Sequence, residues 1–219
     1  MKTIYFVRHG ESTANAGFPT YQGETSELTD IGKEQARFIA ARCKNLSVDA
    51  LVASSAMRAR QTAGYIAQEI GKEVMINGLF TERKLPKELM GRQRSDPDSQ
   101  AMEGEWMQSF FRDGLRVGSG ENFGDLKARV QQALVYLLER PEEHILVVSH
   151  GFFLHMLIAL VSLGETLTAA EFNKMAPAVW MDNTGITRVE YRDQVFARID
   201  GKRHKGWVLR VWNDHTHLG

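Results

Sequence analysis

Apolar and polar positions along the chain follow two rhythms. Short, nearly continuous apolar runs occur at "TIYFV" (residues 3–7), "DALVAS" (49–54), "EVMIN" (73–77) and "HILVVS" (144–149). Runs of this length predict buried strands. Between them the apolar period lengthens to that of a helix. Residues 29–46 predict one, with Thr29 as cap, Asp30 at the positive end of the dipole, and Ile31, Phe38, Ile39, Cys43 and Leu46 on one face. "AMRARQTAGYIAQEIG" predicts a second, with Ala63, Ile66, Ala67 and Ile70 inward and Gly71 as its stop. Phe123, Leu126, Val130, Leu134, Leu137 and Leu138 mark a third, and "GFFLHMLIALVSL" (151–163) a fourth. Towards the end, "GITRVEY" and "WVLRVW" alternate with period two about a turn-like "IDGK", which predicts antiparallel strands.

Strands and helices in alternation imply an α/β protein, with a mostly parallel central sheet and helices on both faces. One stretch breaks the rhythm. Residues 83–122 mix charge, proline, glycine and aromatics, and read as a lid-like excursion from a single domain spanning residues 1–219. Seven Lys or Arg in this stretch are matched by seven Asp or Glu, and Gly91, Gly104, Gly114, Gly118 and Gly120 interrupt it. That predicts a mobile cover without net charge.

Composition narrows the function classes. A chain of 219 residues can bury roughly 70% of its unfolded surface. Lys+Arg and Asp+Glu both number 27, for a formal net charge of zero. A nucleic-acid or membrane binder working by electrostatics would show a basic excess, so neither partner is expected and any anion site must be local. The single cysteine, Cys43, excludes an internal disulfide and reads as a core thiol. No leader-like N-terminal pattern is present and no apolar stretch reaches the ~18 residues of a membrane span. A cytoplasmic protein is expected; the sequence carries no signal of oligomeric state.

In parallel sheets, ligands bind outside the carboxyl ends of the strands. Here the first strand ends in Arg8-His9-Gly10, with Ser12 and Asn15 just beyond. The second ends in Ser54-Ser55, with Arg58 in the first turn of the following helix, and the last before a long helix ends in Ser149-His150-Gly151. Taken singly, an arginine at a helix start is usually a solvated surface residue, and a histidine after a strand is often a packing residue. Taken together, two arginines and two histidines converge on one rim beside helix N-termini, whose free amides favour anions. The planar fork of arginine matches phosphate oxygens. A phosphoryl group is the expected occupant.

"VRHGEST", "SSAMRARQTA", "FTER" and "VVSHG", in that order, resemble the histidine phosphatase superfamily, the group of cofactor-dependent phosphoglycerate mutases and many phosphatases. The resemblance runs from the first strand to at least Leu163. It implies a phosphoglycerate-mutase-like fold and metal-independent chemistry on a small phosphorylated substrate. It implies that His9 is the nucleophile, that Arg8, Arg58 and His150 hold the phosphoryl oxygens, and that Ser12, Asn15, Gln22, Gly23 and the Gly151 amide complete the pocket. Glu82 matches the family's acid, which must be protonated, with a raised pKa, to serve the leaving alkoxide. Glu88, in "PKEL", is its rival; Glu11 is a position the family does not use as its acid. Ala14 stands where the mutases carry tryptophan. Glu82-Arg83-Lys84-Leu85-Pro86 lacks their aromatic and glycine, and Arg92 and Arg94 are weak counterparts of their basic pair. These departures favour a phosphatase over a mutase.

Other clusters fare less well. "DHTH" (214–217) looks like a metal cluster but lies beside the chain end, and His155 reads as a packing histidine with satisfied nitrogens. "RVGSGENFG" lacks the lysine of a phosphate loop. Neither a metal nor another cofactor is expected. A non-catalytic phosphate-binding module would show a gap in the catalytic set, and none is present.

Overall fold

The four apolar runs become strands β1 (Lys2–Arg8), β2 (Ala50–Ala53), β3 (Val74–Ile76) and β4 (His144–Ser149) in a computed structural model that describes residues 1–196 and 203–218. All four run parallel. The alternating tail supplies β5 (Ile186–Phe196) and β6 (Arg203–Asp214), which add antiparallel strands beside β1. The order is β3-β2-β4-β1-β5-β6. The "IDGK" turn lies outside the described residues.

Helices α1 (Asp30–Cys43) and α2 (Met57–Ile70) cover one face of the sheet. After α3 (Pro97–Gln108), helices α4 (Phe123–Glu139), α5 (Gly151–Leu163) and α6 (Ala169–Met175) cover the other. Alternate strand residues divide between the layers: Ile4, Phe6, Ile145 and Val147 face α4 and α5, while Val7, Leu146 and Val148 face α1 and α2. Covering on both faces is why these strands read as unbroken apolar runs. No helix among the described residues is long and apolar enough to cross a membrane.

Two expectations need correction. Ile31 and Phe38 do not point inward from α1; they are 58% and 57% exposed. The buried face is Gly32, Ala36, Ile39, Ala40 and Cys43, a stripe of mostly small residues. The reason is backbone contact. A Cβ at Gly10 would lie 2.4 Å from the Gly32 carbonyl oxygen, and one at Gly32 would lie 1.9 Å from that of Glu11. The helix seats directly on the loop after β1, so its large apolar residues turn outward. Residues 164–185, unassigned by periodicity, contain α6, opened by a capping box of Thr168 and Glu171.

The irregular stretch 83–122 is anchored. Its Trp106 and Phe110 enter the core beside α4 and α5, and Leu89 is fully buried. Its backbone pairs with the loop after β1 through Tyr21 N–H to Arg92 O (3.1 Å), Gly91 N–H to Tyr21 O (2.9 Å) and Arg94 N–H to Pro19 O (2.8 Å). Gly120 answers a close approach, since a Cβ there would lie 2.7 Å from the Trp106 indole nitrogen. The helix start at Phe123 is fixed by a second capping box, Asn122 with Asp125.

Candidate active site

Parallel register brings the three chemical strand ends to one rim: Arg8 pairs with Ser149, and Val148 with both Val7 and Ala53. His9 follows β1 and is 3% exposed. Its Nδ1 faces the Gly10 carbonyl at 2.7 Å, and a carbonyl only accepts, so Nδ1 carries the proton. Its Nε2 accepts from Arg58 Nε at 3.1 Å. Both contacts require the neutral ring with a lone pair on Nε2. Burial, then Arg58, then Arg8 hold His9 well below the ordinary histidine value.

Arg58, 7% exposed, reaches the same point from the first turn of α2, and its Nη1 donates to the Gly23 carbonyl at 2.9 Å. Thr62, one turn on, ties the two elements together. Its hydroxyl donates to Arg58 O (2.8 Å) and accepts from Gly10 N–H (3.1 Å). His150 caps α5, with its ring centroid 4.9 Å from that of His9. Ser54 Oγ accepts from Ala56 N–H and lies 2.7 Å from His150 Nε2, where either group can donate; with the Ser54 proton on this contact, the His150 ring carries its own proton on Nδ1. That Nδ1 and Arg8 Nε are buried without a protein partner. Arg8 Nη1 donates to Met181 O. Burial, then Arg58 and His9, depress the His150 pKa as well. The result is a set of guanidinium and imidazole donors around a neutral imidazole, suited to an oxyanion.

Glu82 stands across the cavity, where its carboxylate accepts from Arg83 N–H (2.9 Å) and from Phe152 and Phe153 N–H at the start of α5 (both 3.2 Å). Glu82 and Arg58 line a cavity of about 390 Å³, together with Gln22, Gly23 and residues of the 83–122 stretch. Glu88 is absent from that lining and accepts from Ser119 N–H and hydroxyl. Its own helix-end amide and the Ser119 contacts hold its pKa down. Of the remaining expected pocket residues, Gly151 follows His150 beside Arg8, where a Cβ would lie 3.4 Å from Arg8 Nε. Ser12 and Asn15 bond each other, hydroxyl to Oδ1 at 3.0 Å, and, like Arg8, His9, His150 and Gly151, they lie outside the residues that line the cavity.

A family model described as the histidine phosphatase superfamily (branch 1) matches residues 4–200. The chain belongs to this superfamily. It is 31% identical to a probable phosphoglycerate mutase, GpmB, of Enterobacter sp. (strain 638), over 100% of this chain and 95% of that relative. Its fold matches the alpha-ribazole phosphatase from Shigella flexneri with a TM-score of 0.76 at 24% identity, covering 97% and 96% of the two chains. It also matches a mycobacterial glucosyl-3-phosphoglycerate phosphatase complexed with VO3, with a TM-score of 0.73 at 21% identity, covering 98% and 100%.

Membership in the superfamily leaves several residues of the site unexplained by motif. Asn183 Nδ2 donates to His9 O (2.8 Å), and Thr184 N–H to Arg8 O (2.9 Å). Both precede β5, whose antiparallel course starts it at the rim where β1 ends. That course was the available signal. Arg83 lies 4.1 Å from the Phe152 ring centroid, 4.8 Å from that of Trp106 and 5.5 Å from that of Phe110. No carboxylate lies within 4.0 Å of it among the described residues. His155 departs from expectation, because both its nitrogens are buried without a partner. The "DHTH" cluster fastens the chain end: Asp214 pairs with Arg42 of α1, and His217 lies between Arg42 and Thr184. Among the described residues, no group of three or more His, Cys, Asp or Glu is placed to hold a metal ion.

Proposed function

We propose that the protein is a metal-independent phosphomonoesterase that works through phosphohistidine at His9. The observation that carries this reading is the neutral His9 ring, with its Nε2 lone pair exposed to nothing but Arg58 Nε at 3.1 Å. A phosphomonoester enters with its phosphoryl group towards His9, and Arg58 exchanges the lone pair for a phosphoryl oxygen. Nε2 then attacks phosphorus, while the bond from phosphorus to the ester oxygen breaks. Glu82, which must have taken up a proton before the substrate reacts, gives it to the departing alkoxide and is left as the carboxylate. Arg8, Arg58 and His150 Nδ1–H stabilise the charge on the transferred group. Water next attacks phosphorus, Glu82 takes the proton, and the P–N bond breaks to return neutral His9 and inorganic phosphate. We read the protein as a cytoplasmic single-domain enzyme whose 83–122 stretch covers this site.

A second reading, phosphoglycerate-mutase-type transfer, has its own support in the name of the 31% identical relative. The cavity also bears on it. The stretch 83–122 has no net charge, yet Arg83, Lys84, Lys87 and Arg94 line the cavity with Glu103 as the stretch's one acid there. The distinguishing experiment supplies 3-phosphoglycerate, with and without 2,3-bisphosphoglycerate, and follows 2-phosphoglycerate and free phosphate, alongside a panel of phosphorylated metabolites. Phosphate release from a panel member with slow interconversion is expected. Interconversion much faster than phosphate release would replace the phosphatase reading with the mutase one.

A further inference from the structure

One buried ion pair beside the site takes no part in the scheme above. Arg129 on α4 and Glu121, just before it, are each 7% exposed. Arg129 Nε and Nη2 donate to the two Glu121 carboxylate oxygens, both at 2.7 Å. The remaining donors of the guanidinium go to main-chain carbonyls, from Nη1 to Leu79 (2.9 Å) and Thr81 (2.7 Å), and from Nη2 to Glu82 (3.2 Å). All five N–H groups therefore have an acceptor. Glu121 holds the same segment from its other side. Its carboxylate accepts from Lys84 N–H at 3.0 Å and its own N–H donates to Lys84 O at 2.9 Å.

The segment needs such partners. After β3 it makes a single 3₁₀ turn (Gly78–Phe80) and then belongs to no strand or helix, so its carbonyls have no ladder to enter. A buried charge is tolerated only when fully paired, and here the pairing is spent on the backbone either side of one residue. Glu82 is thus tethered twice, by its backbone to α4 and by its carboxylate to the first amides of α5.

We propose that the Arg129–Glu121 pair is a positioning device for Glu82: it sets where the carboxyl stands relative to the leaving oxygen without touching the substrate. The proposal rests on the reading of Glu82 as proton donor. Without the backbone tether, the carboxylate remains parked on the α5 amides and its reach towards the ester oxygen changes.

The test compares an alkyl phosphomonoester, whose alcohol leaves only with a proton, with p-nitrophenyl phosphate, whose phenolate leaves without one. Glu121→Gln keeps the side-chain shape and Arg129→Lys keeps the charge. Each is expected to lose about ten- to a hundredfold in kcat/KM, which covers the phosphoryl-transfer step alone, on the alkyl ester and no more than about twofold on the aryl ester. The ratio of the two rates does not depend on how much of the variant is folded, so partial unfolding cannot imitate the effect. In Glu82→Gln/Glu121→Gln, the second change is expected to add no further loss on the alkyl ester. A wild-type ratio in both single variants overturns the positioning role. An unmoved ratio in Glu82→Gln itself overturns the acid assignment instead, and separates that failure from failure of the pair.

Discussion

At the rim of the sheet, Arg8, His9, Arg58 and His150 are set by backbone: strand ends, the first turn of α2 and the cap of α5. Across the cavity, Arg83, Lys84, Lys87 and Arg94 are set by side chains, with Arg83 against Trp106, Phe110 and Phe152, and Arg94 4.4 Å from the Tyr21 ring centroid and 3.6 Å from Glu103. The rim residues are mostly buried and hold each other; those of the stretch 83–122 are more exposed, and Arg83, Lys84 and Lys87 have no carboxylate partner among the described residues. The difference separates two jobs. In the proposed mechanism the rim fixes what happens to any phosphoryl group that arrives, and the opposite wall fixes which molecule brings it. Changes at the rim should strike the chemical step for every substrate, and changes in the stretch should strike affinity and choice.

The largest effect should follow from His9→Ala, with a loss of roughly 10⁴-fold or more in turnover on every phosphomonoester, or about 5.5 kcal/mol. Rapid quenching of the wild type with substrate should trap a phosphate that is acid-labile, and the variant should trap none. Turnover within tenfold of wild type would break the comparison at its root.

Next in size is Trp106→Ala in the opposite wall. The indole is 3% exposed, backs Arg83 and donates to Glu121 O at 2.8 Å. Its removal should lower stability by about 3–5 kcal/mol in denaturant titration. Among folded molecules, KM across the panel should shift while kcat on p-nitrophenyl phosphate stays near wild type. A uniform fall in kcat would show that the wall takes part in the chemistry.

A smaller effect concerns pH. His9 and His150 have folded pKa values well below the ordinary 6.5. Between the folded and unfolded values the unfolded chain binds more protons, so the neutral rings contribute stability above pH 6.5 that is lost as pH falls below it. Each should steepen the decline by up to about 1.4 kcal/mol per pH unit. Thermal unfolding of His150→Ala between pH 7.5 and 5 should be correspondingly flatter than wild type. The acid limb of kcat/KM, which reports the free enzyme, should lie below pH 6.5. A limb at 6.5 or above would mean that the rim does not depress His9.

The smallest expected change is none: extensive chelation should leave the rate as it was, while vanadate should inhibit by taking the phosphoryl position. A loss restored by a divalent cation would show that the rim's donors need a metal beside them.

The sheet was legible because its strands are covered on both faces and their apolar runs are unbroken. The rim was legible because parallel strands carry chemistry at their carboxyl ends, and three of the four motifs sit there. What escaped had no local signal. The inward face of α1 is built from Gly32, Ala36 and Ala40, which an eye for large apolar residues passes over in favour of Ile31 and Phe38. The stretch 83–122 looked neutral and loose because its charges are sorted only in three dimensions: Asp96 caps α3, Glu121 meets Arg129 and Glu88 meets Ser119, while Arg83, Lys84, Lys87 and Arg94 turn to the cavity. Asn183 and Arg129 act on the backbone of distant residues, a kind of contact that no periodicity announces.

The seam between Gly10 and Gly32 has a consequence for anyone reading natural or selected variants of this protein. Neither residue has a side chain to offer a substrate, and position 32 lies on a helix outside every motif. Yet any Cβ at either place would push the loop after β1 off the helix, and His9 rides on that loop. In a genetic screen, lesions at position 32 should therefore map as catalytic nulls in chains that still express. Revertants should arise at the same codon rather than in the pocket, because the clash is with backbone and the partner is already glycine. The join is inherited as one unit, and the two glycines should be counted as a single character.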